Sequence, residues 1–268
     1  MKKLHRIATG ALAALMAAGL AGCAGADDGT VNLTFQIWDV AQRDGMQAMC
    51  DAYTAEHPNV HIEVQVTSWD EYWTKLEAAA MSNQMPDIFW MHTNEILKYA
   101  DYGMLADCSD IVETEHFSDI SLANASGSDG KLYAVPKDKD TVGLVYNKEM
   151  FDEAGVAYPD ENWTWDDLVD ASQKIYDATG NYGYMAYGDD QLGYWNFVYQ
   201  AGGSILTEDK TRANFDDPAT RMGMEFYINL QKNDWCPTQT YFAETSPGTA
   251  FFSGYGSMFL EGNWNILS

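Results

Sequence analysis

Apolar positions between residues 31 and 90 switch between two periods. Leu33 to Trp38 is a short apolar-rich run of strand length. Gln42 to Glu56 then places Met46, Met49 and Tyr53 at helical spacing, and Pro58 marks the stop. Val60, Ile62, Val64 and Val66 alternate with His61, Glu63 and Gln65, the period of two that defines a half-buried strand. Asp70 to Met81 returns to helical spacing through Tyr72, Leu76 and Ala79-Ala80, and Pro86 to Trp90 reads as a short buried strand. The predicted order is βαβαβ, an open sheet with crossover helices.

Punctuation organises the rest of the chain. Asp129-Gly130 is a turn signal, Leu132 to Val135 is apolar, and Thr141 to Tyr146 is a further strand-like run. Asn147 caps a short helix that ends at Gly155. Thr164 is an N-cap with Asp167 three residues on as a capping-box acid, and Trp163 stands where it can staple onto Leu168, so Trp163 reads as structural and Trp165 as surface or packing. Gly202-Gly203 is a turn, and Asp216-Asp217-Pro218 opens a helix from Ala219 to Asn233.

In open α/β sheets ligands bind outside the carboxyl ends of the strands. Here those ends carry Trp38-Asp39, Ser68-Trp69-Asp70 and Trp90 to Asn94, so three loops on one predicted edge each bring a tryptophan and a polar neighbour. A lone Trp is usually core, but three at equivalent positions point to a platform. A flat apolar face beside Asp and Asn suits a sugar ring, whose C–H face packs on the aromatic while its hydroxyls need hydrogen-bond partners.

Charge and composition narrow the classes. The 268 residues hold 40 Asp plus Glu against 15 Lys plus Arg, a net charge of -25, which argues against a nucleic-acid partner. Hydrophobic residues at 46% and aromatics at 13% argue against disorder. Lys2, Lys3 and Arg6 precede a run from Ile7 to Leu20 that is too short to span a membrane and reads as a secretory leader. Leu20-Ala21-Gly22-Cys23 follows and resembles the lipobox of bacterial lipoproteins, which makes Cys23 the lipidation site and residues 1–22 a signal peptide. Residues 23–30 are small and polar, a tether. Cys50, Cys108 and Cys236 match no metal spacing, and whether Cys50 and Cys108 pair is open at this level.

Residues 66–110, 130–156 and Glu261-Gly262-Asn263-Trp264-Asn265 together resemble the extracellular solute-binding proteins of sugar ABC importers, with the likeness running from about Leu33 to the last residue. The resemblance implies an α/β, two-lobe periplasmic-binding-protein-like fold of the type II kind, with a first lobe over 31–137 and a second over 138–268. It implies a sugar or small oligosaccharide held between the lobes, delivery to ABC permease subunits, a monomer attached to the membrane through lipid only, and neither cofactor nor metal. It also implies that Leu132 to Asn147 includes the first crossover, that Asp140 accepts sugar hydroxyls, that Tyr187 and Trp195 line the site, and that Asn263 and Trp264 present a stacking aromatic at a strand end. The expected ligand set is Trp38, Asp39, Trp69, Trp90, Asn94, Asp140, Tyr187, Trp195, Asn263 and Trp264. Since family members run longer, the resemblance further implies that the return segment to the first lobe is absent.

Two other chemistries have partial signatures in the residues. Asp138-x-Asp140-x-Val142-Gly143 with Glu149 approaches a calcium loop, but Val142 occupies a ligand position and no helix is predicted before Pro136. A carbohydrate-active hydrolase needs two carboxyls facing each other across the scissile bond. No such pair is legible, and G-x-S-x-G and H-E-x-x-H are both missing. The expectation is therefore a binding protein without catalytic residues, with a peptide as the nearer alternative cargo.

Overall fold

The computed structural model describes residues 29–265, so the leader and Cys23 lie outside the described residues. The chain divides between Lys137 and Asp138 into two units.

In the first unit β1 (Val31–Ile37) pairs parallel with β2 (Val60–Val66) over its whole length, from Val31 opposite Val60 to Ile37 opposite Val66. Its other side pairs with β3 (Ile88–Phe89), giving the order β2-β1-β3. Parallel neighbours require crossovers, supplied by α1 (Arg43–Glu56) and α2 (Trp69–Met81). The β3 ladder is shorter than the expected run from Pro86 to Trp90. Pro86 has no N–H to give, and the next place is taken by a side chain: Asp87 Oδ2 accepts from Thr34 N at 2.9 Å and from Thr34 Oγ1 at 3.0 Å.

The α1 pattern is also corrected. Met46 and Cys50, one turn apart, face the core with Ile37, Val64 and Trp90, whereas Met49 is 66% exposed and Tyr53 is exposed beside it. Gln47 on the same helix covers the outer edge of β2: its Nε2 donates to Ile62 O at 3.0 Å and its Oε1 accepts from Val64 N at 2.9 Å. An unpaired strand edge is thereby closed by one side-chain amide. Beyond the sheet, α3 (Ile96–Asp101) packs Tyr99 against Tyr72 and Leu76 of α2, and α4 (Asp119–Asn124) follows.

The second unit is built on a mixed sheet rather than a purely parallel one. β4 (Val142–Tyr146) runs antiparallel to β6 (Gly256–Gly262), and β5 (Tyr182–Tyr184) runs parallel to β6, in the order β4-β6-β5. Asn147 caps α5 (Lys148–Ala154) through Oδ1 to Met150 N at 3.2 Å, and Gly155 closes it at φ 63°, a left-handed conformation that suits glycine. Thr164 and Asp167 form both arms of the capping box that opens α6 (Trp165–Thr179). Trp163 stacks on Phe151 at 6.0 Å, and Trp165 stacks on Phe226 at 4.3 Å while donating to Gln200 Oε1 at 2.7 Å. The remaining helices are α7 (Trp195–Gln200), α8 (Pro218–Leu230), α9 (Gln239–Glu244) and α10 (Pro247–Phe252). Phe151, Leu168, Ile175, Tyr184, Trp235 and Met258 form the core beneath them.

Cys50, Cys108 and Cys236 are free thiols, so Cys50 and Cys108 do not pair. Burial pushes all three upward, Cys236 to about 11, which keeps them protonated and poorly nucleophilic. Among the described residues no helix is long and apolar enough to cross a membrane.

The Asp87 contact makes the first unit acid-sensitive. Hydrogen bonds from the Thr34 backbone and side chain hold the carboxyl below its ordinary value. Such a group adds stability above its unfolded pKa, about 3.9, and loses it as pH falls through the lower folded value. Asp87→Asn is expected to lower Tm at pH 7, with the difference from the parent narrowing as pH is taken below about 4. Thermal melts across that range check it, and a pH-independent difference would count against the linkage.

Candidate functional site

The register of the first sheet fixes where its tryptophans go. Ile37 lies opposite Val66 and Gln36 opposite Phe89, so the chain leaves all three strands on one edge. Thr67 N donates to Ile37 O at 3.0 Å and Trp90 N to Gln36 O at 3.0 Å, which carries the pairing one residue past the ladders. Trp38, Trp69 and Trp90 therefore converge.

They do not play one role. Trp38 is the centre, with its ring edge-on to Trp69 at 5.3 Å, Tyr72 at 5.1 Å and Trp90 at 5.0 Å, and tilted to Trp73 at 5.9 Å. Trp90, expected in the ligand set, is 6% exposed. The Lys137 ammonium sits 4.2 Å from its ring centre, and Tyr72 Oη donates to its carbonyl at 2.8 Å. These neighbours make Trp90 a core residue, a correction to the platform reading. Trp38 backs the group, and Trp69, 45% exposed, is the ring left facing outward. Trp69 opens α2 instead of sitting in the loop before it, which puts Trp73 one turn behind it at 5.5 Å; His92 stands at 5.5 Å on another side. The i,i+4 pair of Trp69 and Trp73 is the sequence signal for Trp73, which lies outside the expected ligand set.

Asp39 caps the turn after β1. Its Oδ1 accepts from Ala41 N at 2.8 Å and its Oδ2 from Gln42 Nε2 at 2.8 Å, and Gln42 Oε1 in turn accepts from Lys137 Nζ at 3.0 Å. Each carboxylate oxygen retains a second lone pair for a ligand hydroxyl. Asn94 is exposed two residues beyond His92, with its backbone N–H on His92 Nδ1 at 3.2 Å.

In the second unit the residues gather at the end of β6 and after β5. Asn263 Oδ1 accepts from Thr141 N at 2.8 Å and Asn263 N donates to Thr141 O at 3.0 Å, extending the β4–β6 pairing. Its side chain is thus a structural clasp. Trp264, 36% exposed, lies across Gly262, where an added Cβ would be 2.1 Å from the indole ring. Only glycine lets the ring rest there. Asp140 is exposed two residues ahead of β4. Tyr187 is half-buried, 5.8 Å from Phe242; burial raises its hydroxyl above the ordinary tyrosine value, with the Asp189 carboxylate, which it hydrogen-bonds, adding to the effect and Glu261 contributing further. Trp195 opens α7 with its indole N–H buried and without a protein hydrogen-bond partner. Asp189 and Glu261 complete the surroundings of Tyr187 and were not singled out from sequence. An acid inside the apolar strand Phe259-Leu260-Glu261 was the available signal for Glu261.

This division of labour predicts unequal stability losses. Trp38→Ala should cost roughly 3 to 5 kcal/mol, as for a large ring removed from a packed group. Trp69→Ala should cost about 1 kcal/mol, the scale of its edge contacts. Denaturant unfolding of the two variants distinguishes them, and equal losses would refute the assignment of Trp69 to the outer surface.

Comparison with known proteins agrees with this architecture. The maltotriose-binding protein of Pyrococcus abyssi is 26% identical over 242 residues, covering 87% of this chain and 50% of that protein. An uncharacterized lipoprotein of Streptomyces antibioticus, encoded in the oleD 5' region, is 28% identical over 210 residues, 74% of this chain and 46% of that one. The crystal structure of an ABC transporter solute-binding protein from Thermotoga lettingae, bound with α-D-tagatose, superposes with a TM-score of 0.75 at 28% identity, over 88% of this chain and 63% of that one. The chain spans about half the length of the curated relatives it matches. Its two α/β units share the two-lobe solute-binding fold. Members of the matching family are binding proteins, and residues 39–268 carry its pattern: the chain belongs to the bacterial extracellular solute-binding proteins.

Proposed function

We propose that this protein is the capturing component of an ABC importer, binding a sugar or small oligosaccharide outside the cell and presenting it to permease subunits. The observation that carries the reading is Trp69, an outward-facing indole backed by the three rings of Trp38, Trp73 and His92, with Asp39 on the adjoining loop. Trp264, Tyr187 and the carboxylates of Asp189 and Glu261 offer the same mixture of aromatic face and hydroxyl acceptors in the second unit. Sugars need both kinds of surface. A relative named for maltotriose and a similar structure bound with tagatose support the ligand class.

The protein binds without turnover. Asp39 is committed to a cap, accepting from Ala41 N and Gln42 Nε2. It acts as a monomer and needs no cofactor. Attachment to the membrane is through lipid on Cys23, a reading that rests on Leu20-Ala21-Gly22-Cys23 and is supported by the relative named as a lipoprotein.

Calorimetry of the full-length protein with maltotriose, diacetylchitobiose, melibiose and D-tagatose should find saturable binding to at least one, with the sugar recovered intact. Trp69→Ala and Trp264→Ala should each weaken it at least tenfold, about 1.4 kcal/mol, with little change in ligand-free Tm, while Trp163→Ala does the reverse. Gly262→Ala should behave as Trp264→Ala does. Cleavage that disappears in Asp39→Asn or Asp140→Asn would overturn the reading, as would capture of peptides in place of every sugar.

Cys23→Ser should release the protein into the medium, since stable anchoring depends on acyl chains that only the cysteine can receive. Fractionation of expressing cells checks this, and retention with the membrane would refute the lipid anchor.

A further inference from the structure

β5 stops at Tyr184, and the chain continues toward Tyr187 outside any ladder. Met185 N still donates to Met258 O of β6 at 2.9 Å. The next two peptides are held by side chains, with Tyr187 O also accepting from Asp189 N at 2.9 Å. Gln239, the first residue of α9, donates from Nε2 to Ala186 O at 3.0 Å and accepts at Oε1 from Gly188 N at 2.9 Å, so one amide does what a neighbouring strand would do. Between these bonds Tyr227 of α8, 2% exposed, donates its hydroxyl to Tyr187 O at 2.6 Å. A Cβ on Gly193 would stand 2.8 Å from that hydroxyl and 3.2 Å from Tyr187 O, so the chain before α7 gives way to the contact. Burial raises the Tyr227 hydroxyl well above its ordinary value, which keeps it a donor.

A connecting segment at the surface can leave carbonyls to water. Here two successive peptides, 186–187 and 187–188, are instead bonded by two helices, and the residue they share is the half-buried tyrosine that faces Asp189 and Phe242. We infer that Gln239 and Tyr227 are positioning residues for Tyr187: they lock the backbone of 186–188 so that the Tyr187 ring and hydroxyl are set before the ligand arrives. Binding then proceeds without the cost of ordering that segment. The inference rests on the sugar-binding reading above and adds to it the residues that preorganise one of its contacts.

A double-mutant cycle on the full-length protein tests it, using whichever of maltotriose, diacetylchitobiose, melibiose and D-tagatose binds tightest. Tyr227→Phe and Gln239→Ala should each lower affinity by about fivefold or more, and in a Tyr187→Ala background neither should change it by more than about twofold. Trp69→Ala should keep its full effect in the Tyr227→Phe background, because it acts on the other unit. Losses that persist without the Tyr187 side chain would mean general loosening and would overturn the inference. Tyr187→Ala binding as the parent does would overturn it too, while the sugar reading stood on Trp69 and Trp264. A parent that binds none of the sugars would remove both. Gln239 is exposed, so its arm of the cycle remains interpretable if Tyr227→Phe fails to fold.

Discussion

A strand that stops leaves peptide groups behind it that must still find partners, and this molecule meets that requirement with side chains. The ladders are short: β3 has two residues and β5 has three. Past β3, Tyr72 Oη donates to Trp90 O at 2.8 Å; past β5, Tyr227 Oη donates to Tyr187 O at 2.6 Å. Each unit thus uses a buried tyrosine hydroxyl to hold the carbonyl of an aromatic residue just beyond a strand. Glutamines do parallel work, Gln47 along the edge of β2 and Gln239 along 186–188. A buried, unpaired peptide group costs about as much as a lost hydrogen bond, so these side chains are conditions of the fold. Because the strand ends are also where ligands reach an α/β sheet, the same bonds fix the candidate site.

That arrangement suits the binding role of the family's members. A general acid or nucleophile needs a carboxyl or thiol whose pKa is tuned and whose reactive atom is unencumbered. The acids near the aromatic groups are engaged as acceptors: Asp39 from Ala41 N and Gln42 Nε2, and Asp189 from Leu192 N at 2.7 Å. The thiols are pushed upward by burial. Carboxylates already oriented by backbone N–H groups can accept further hydroxyls with little reorganisation, which suits recognition of a polyhydroxylated ligand.

Much of the fold was legible because the signals were local. The alternation from Val60 to Val66 became a full-length parallel strand, and Thr164 with Asp167 became both arms of a capping box. Asn147 and Gly155 bound α5 as their types require. The misses came from information that local pattern does not hold. Helical spacing put Met46, Met49 and Tyr53 on one face, but the sheet lies against Met46 and Cys50 and leaves the other two in solvent. Pro86 to Trp90 reads as a strand because it is apolar, yet Asp87 fills a ladder position with its carboxylate. In the site, three tryptophans at three strand ends were visible, whereas their unequal roles depend on the crossing of Trp38 over its neighbours. Tyr227 and Gln239 were invisible because each acts on a backbone 40 to 53 residues away.

The unequal roles of the tryptophans follow from how an exposed ring is kept rigid. An indole facing water has no packing on its outer side, and holding it in one orientation by rotamer preference alone would leave it mobile. Trp69 is fixed from behind: Trp38 meets it at 81°, Trp73 at 86° and His92 at 76°, all edge-on. Trp38 can serve as that wall because Tyr72 and Trp90 hold it at 5.1 and 5.0 Å, and Trp90 is buried because Lys137 covers its ring. Trp264 is backed differently, by the bare Cα of Gly262 at the end of β6. Burying several aromatics so that one remains presented is consistent with a site whose affinity depends on a preset platform, since each ring fixed before binding is a ring the ligand need not order.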